Sequence, residues 1–208
     1  MQLSVQSNWI RGVLLLLSIA GFSGGLAGFQ SGWAWARKDV SHNEWAPEIA
    51  IELSVGWWDS LSHIKTGFVP VQIELQGKGG RALGLVTALA LAGSSAVCVL
   101  VLANILASAM PLLLPKQLLL SSTQKYLTVG RAALCVIPFT VLLYGVITFK
   151  VHDEVHKKVH LGTQAPDVWP YPGWACLSAA VGGVALVLST FSFKADLLPS
   201  PLEGYLPL

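Results

Sequence analysis

The stretch "ALGLVTALALAGSSAVCVLVLANILASAMPLLLP" (82–115) holds no charged residue, and Arg81 and Lys116 bracket it. A hydrocarbon core of roughly 30 Å is crossed by about 20 helical residues. The run is therefore long enough to span a bilayer. Its excess either projects beyond the membrane or ends early near Met110 and Pro111. Three further charge-poor apolar runs give spans at about 10–29, 129–150 and 173–193, with the quoted run spanning about 82–110. Composition agrees: 53% of the residues are hydrophobic, 12% are charged, and the mean hydropathy is +0.62. Soluble domains carry about 25% charged residues, so too few are present here to cover a water-facing surface. The net charge of +2 is too small to argue for a nucleic-acid partner.

The first run has the basic residue and apolar centre of a secretion signal. It lacks a clear small-x-small cleavage site followed by a polar mature start. Gly21, Gly24, Gly25 and Gly28 suit close helix contact, so a retained span is expected. Trp9, Trp33, Trp35, Trp169, Tyr171 and Trp174 fall near the span ends, where amphipathic rings favour the headgroup zone.

Four spans place both termini on one side and leave a long first connection, 30–80. Within it, "IAIEL" (49–53) and "VQIEL" (71–75) alternate apolar and polar residues, the period of half-buried strands. Gly67 and Pro70 precede the second, and Gly77, Gly79 and Gly80 follow it. The expectation is that these two strands pair as a small antiparallel sheet, with Ile51 and Ile73 on its apolar face. A lone hairpin is marginal in water, so the sheet must rest on helix ends or on a partner. Trp57 and Trp58 sit in mid-loop, where headgroup anchoring explains them poorly and a protected protein contact explains them better. Taken literally, the Lys and Arg count favours the side opposite the termini as the cytoplasmic one; the length of the first loop weakens that count, so charge leaves orientation open.

The order of span one, Trp35, then Gly56-Trp57-Trp58, then "LQGKGGRAL" (75–83) with Arg81 at the mouth of span two resembles the claudin superfamily. That superfamily includes peripheral myelin protein, epithelial membrane proteins and calcium-channel γ subunits. Its members place a Trp after span one, a Gly-Leu-Trp signature in the first extracellular loop and an Arg before span two. Trp57 stands here in the place of the leucine. The start of span four, "YPGWACLSAAVGGVALVLS" (171–189), is similar to the family's Gly-Trp entry into a Gly-rich helix, and the segment around "FTVLLYGVITF" (139–149) to its third span, which often runs past the bilayer. One departure is plain: the family staples its extracellular hairpin with two cysteines, whereas Cys98, Cys135 and Cys176 all lie in spans here. A bridge closing so short a loop contributes about 2–4 kcal/mol.

The resemblance implies a left-handed four-transmembrane-helix bundle, all-α in the membrane, with a small antiparallel β-element in the first extracellular loop. It places the chain in the plasma membrane with cytoplasmic termini. Trp35, Gly56, Trp57, Trp58 and Arg81 are the candidate loop-shaping and partner-binding residues. Gly24, Gly28, Gly182 and Gly183 are the candidate helix-packing residues. The implied work is non-catalytic: an auxiliary subunit docking laterally on a channel or receptor, or a cell-junction barrier protein capable of self-association. A loop without its staple favours the first, since a partner supplies the missing stabilisation. An accessory subunit of a multisubunit membrane enzyme is a third reading.

Catalytic signatures are lacking: no Cys-x-x-Cys, nucleophile elbow or P-loop is present. Ionisable residues fall only at the span ends, which argues against a proton or ion carrier. No cofactor is expected. His152, His156 and His160 recur every four residues, a spacing at which imidazoles on a helix can share a metal ion. An amphipathic extension of span three, with Val151, Val155 and Val159 packed beside the histidines, accounts for the same pattern.

Overall fold

The computed structural model describes residues 2–29, 32–40, 49–56, 61–66, 69–74, 78–109, 119–158, 169–195 and 197. Among these, four helices are long and apolar enough to cross a membrane: α1 (Gln2–Ala27), α2 (Lys78–Ala109), α3 (Ser122–Lys158) and α4 (Trp174–Ala195). The chain is a multi-pass integral membrane protein. Each helix packs on two neighbours, in the ring α1–α2–α3–α4 closed by α4 on α1. The apolar runs are apolar on every face, so the ring can bury Leu15, Phe22, Leu91, Leu143, Leu186 and Phe193 while Leu134, Val141, Val184 and Leu188 point outward. Lipid is the solvent that tolerates both.

No water in the hydrocarbon can satisfy a stray polar group. Ser18, Thr87 and Thr140 meet this by donating to the carbonyls of Leu14, Leu83 and Val136 in their own helices, at 2.8–2.9 Å. The α3 start is closed by a reciprocal cap. The Ser121 N–H donates to Gln124 Oε1 at 2.9 Å, and the Gln124 N–H donates to Ser121 Oγ at 3.2 Å. Within the quoted apolar run α2 is described to Ala109, and residues 110–115, where the run is expected to end or project, lie outside the described residues. At 37 residues α3 is about 55 Å long by its rise per residue, so it extends past the hydrocarbon.

The first connection forms β1 (Ala34–Val40), β2 (Ile49–Val55), β3 (Leu61–Thr66) and β4 (Val69–Glu74), and Tyr171–Pro172 before α4 is β5. Both strands read from alternation exist, but they do not pair with each other. β2 pairs antiparallel with β1, Lys38 facing Ile51, while β4 pairs antiparallel with β3, Ile64 facing Val71. The described strands form one sheet in the order β2-β1-β5 and a second hairpin, β3-β4, packed beside β2. The expected pairing fails because alternation marks a strand without naming its neighbour. β1, "AWARKDV", is rich in charge and gave no such mark.

At the end of the bundle carrying the termini, α1 and α4 are joined by Arg11. Only 5% exposed, its guanidinium donates to Ser192 Oγ at 3.0 Å, to the Ser192 carbonyl at 2.8 Å and to Asn8 Oδ1 at 3.4 Å. It also lies 4.9 Å from the Phe193 ring centroid, a favourable cation–π distance. A residue that reads as a flanking charge is a buried inter-helix clamp.

Candidate interaction surface where the sheet meets the bundle

The last carbonyls of α1 and the first N–H groups of α4 have no partners within their helices. The chain resolves both ends with one knot. After α1, Gly32 adopts φ +106°, a left-handed conformation open to glycine, and turns the chain so that Trp33 points back into the bundle. The Trp33 indole N–H donates to the Gly25 carbonyl at 3.0 Å, while the Gly24 and Leu26 carbonyls accept from Gly28 and Phe29. The Gly32 and Trp33 carbonyls in turn accept from the N–H groups of Ala175 (2.9 Å) and Gly173 (3.0 Å), capping α4. The Trp33 N–H donates to the Val55 carbonyl at 2.8 Å, drawing the end of β2 into the same knot. A Cβ on Gly32 would run into the Trp174 indole, and one on Gly173 into the Gly32 carbonyl.

Trp33 is 0% exposed and belongs to the core. This corrects its reading as a headgroup anchor: the glycine turn before it sends the ring inward. Trp35, two residues on and within β1, is 44% exposed. It stands opposite Tyr171 in the β1–β5 register, as Ala34 stands opposite Pro172. Trp169, Tyr171 and Trp174 are also exposed, at the point where α4 enters the membrane. The hydroxyl of Tyr144 on α3 donates to the Pro170 carbonyl at 3.1 Å and fixes the approach to β5. The result is an outward-facing aromatic patch on an anchored backbone.

Gly56 follows β2 and is buried. Trp57, Trp58 and His160 lie outside the described residues, as do the side chains of Ile51, Ile73 and Arg81; the backbone of Arg81 is in the first turn of α2. Of the helix glycines, Gly24 faces Ser178, where an added Cβ would lie 2.9 Å from the Ser178 Cβ. Gly182 faces Phe22 and the Ser18 carbonyl, Gly183 faces Ile137, and Gly28 is buried near the end of α1. Gly21 makes the closest approach of the α1 glycines: an added Cβ would stand 2.5 Å from the Ser178 carbonyl and 2.7 Å from the Gly182 backbone.

On the projecting end of α3, His152 stacks against Trp169 with ring centroids 4.0 Å apart and 15° between planes, and on His156 at 6.2 Å. Lys157 pairs with Asp153 along the same helix. Among the described residues no three metal-ligating side chains converge.

The knot was missed in the sequence, though a signal was there. Gly-Trp-Ala occurs at 32–34 and again at 173–175, and the two copies bond to each other. No protein-family model and no curated protein matches the chain.

Proposed function

We propose that the chain is a claudin-like, non-catalytic auxiliary subunit that docks laterally on a channel or receptor complex in the plasma membrane, its termini cytoplasmic. The carrying observation is the exposed group Trp35, Trp169, Tyr171 and Trp174, held where α4 enters the bilayer. Aromatic side chains on a fixed backbone supply contact area at low entropic cost and dominate binding at interfaces. Their level beside the membrane favours a neighbour in the same bilayer over one facing it across a gap.

The cell-junction reading gains from one feature. The α1–β1–α4 knot and β5 anchor the sheet without a disulfide, so an unstapled loop need not lean on a partner.

Native electrophoresis after mild-detergent extraction separates the readings. The full chain should migrate with a larger complex, and Trp35→Ala combined with Tyr171→Ala should release it as a folded small species. Migration of the unmodified chain alone, or strands at cell contacts by freeze-fracture in cells expressing only this protein, would sink the auxiliary reading.

A further inference from the structure

We infer that the seam between α3 and α4 is a binding groove for one phospholipid with an anionic headgroup, the net negative charge of that headgroup held by Arg131 and Lys194 and one acyl chain laid along the helices. Two contiguous hollows line this seam. One of about 340 Å³ opens at the end of the bundle carrying the termini, between Arg131 and Lys194. The other, of about 280 Å³, continues towards mid-membrane over Ala179, Ala180 and Gly183. Ile137 and Val187 border both, so they form one trough. Hollows of this size sit at or near the lower end of the range for small-ligand sites, roughly 300–1,000 Å³.

Length and charge select the occupant. The trough runs along α4 from Lys194 to Ala179, about 22 Å by helical rise. One leaflet with its headgroup zone is about 20–22 Å deep, so a single lipid fits end to end. Below the mouth the lining is apolar apart from Thr140 and Thr190, whose hydroxyls bond carbonyls of their own helices, and at the mouth the charged lining residues are both cationic, Arg131 and Lys194. Both side chains are exposed, and neither forms an ion pair among the described residues. The small residues Ala179, Ala180 and Gly183 deepen the floor. On α3, Pro138 lacks the N–H that would bond the Leu134 carbonyl, and Leu134 lines the trough at that level. A partner helix would find room on the small residues but would gain nothing from the two cations unless it carried acidic groups at that depth.

The test is native mass spectrometry of the full chain in mild detergent, titrated with palmitoyl-oleoyl phosphatidylserine or with phosphatidylcholine of the same chains. One phosphatidylserine should be retained per chain with a preference of about tenfold or more, since each basic residue near the headgroups adds attraction. Arg131→Gln with Lys194→Gln should abolish that preference, whereas Lys150→Gln with Lys157→Gln, at the other end of α3, should leave it intact. Ala180→Leu, at an exposed position, should weaken retention of both lipids by filling the trough. A preference that survives Arg131→Gln with Lys194→Gln overturns the inference. So does equal competition by glycerophosphoserine, which has the headgroup and no chains. Ala180→Leu turning a dimer into a monomer with lipid retention unchanged would assign the seam to a helix and equally overturn it.

Discussion

Gly182 and Gly183 are neighbours on α4 and face opposite conditions. Gly182 points at α1, where an added Cβ would meet the Ser18 carbonyl at 3.0 Å and the Phe22 ring at 2.9 Å. Gly183 points at α3, where the nearest atom, Ile137 Cγ1, would be an ordinary 3.5 Å away. The α1–α4 seam is closed by backbone approaching backbone, with Arg11 at one end and the Trp33 knot at the other. The α3–α4 seam carries the two hollows along much of its length. Small residues on a transmembrane helix are commonly read as contact points. Here the same residue type brings helices together on one side and leaves a trough on the other.

Substitutions can break this contrast, and thermal unfolding of the full chain in detergent reads them. The largest loss belongs to Trp33→Ala, which empties a fully buried ring site and leaves the Gly25 carbonyl unpaired; about 3–5 kcal/mol is expected. Trp35→Ala should change stability little by comparison, and equal losses at the two positions would contradict the assignment of Trp33 alone to the core. Gly21→Val comes next, near the upper end of about 1–3 kcal/mol for overpacking, because the obstacle is rigid backbone on α4. If Gly21→Val unfolds at the unmodified temperature, the α1–α4 seam is not closed as described. Arg11→Met should cost about 1.5 kcal/mol or more, since bonds to a charged donor are lost and Ser192 is left without its partner. Adding Ser192→Ala to it should then cost little further. Gly183→Ala should cost nothing and gain about 0.4–1 kcal/mol from helix propensity; a loss matching Gly21→Val would show that both seams are tight and the trough is not there.

Much of this architecture is legible residue by residue. The four apolar helices follow from charge-poor length, whereas their ends do not follow from charge, since α1 runs through Arg11 and α3 through Arg131 and Lys150. The alternation in 49–53 and 71–75 marks two strands correctly. It does not assign their partners, because a strand's own pattern fixes which residues share a face and not which edge lies beside it. β1 was hidden for a related reason: Arg37, Lys38 and Asp39 interrupt any apolar alternation, and the strand is specified by β2 and β5 on its two sides. Arg11 misleads in another way. A cation before an apolar run usually snorkels to the interface, and only Ser192, distant in sequence, makes it a buried clamp. For the candidate surface, the exposed tryptophans were visible as residues, but nothing local separates Trp33 from Trp35.

By itself the sequence determines that this chain lives in lipid as four spans with a β-rich first connection. Charge-free length and alternation are local properties, and solvent acts on them before any tertiary contact forms. Tertiary structure alone decides which tryptophan is core and which is surface, which strands pair, and which glycine closes a seam. Each of these depends on backbone groups brought together from distant parts of the chain. The Gly-Trp-Ala segment at 32–34 shows the physical reason: its carbonyls accept from Gly173 and Ala175 at the start of α4 and its indole N–H donates to Gly25 of α1, and one segment can meet both needs only once the helices stand side by side.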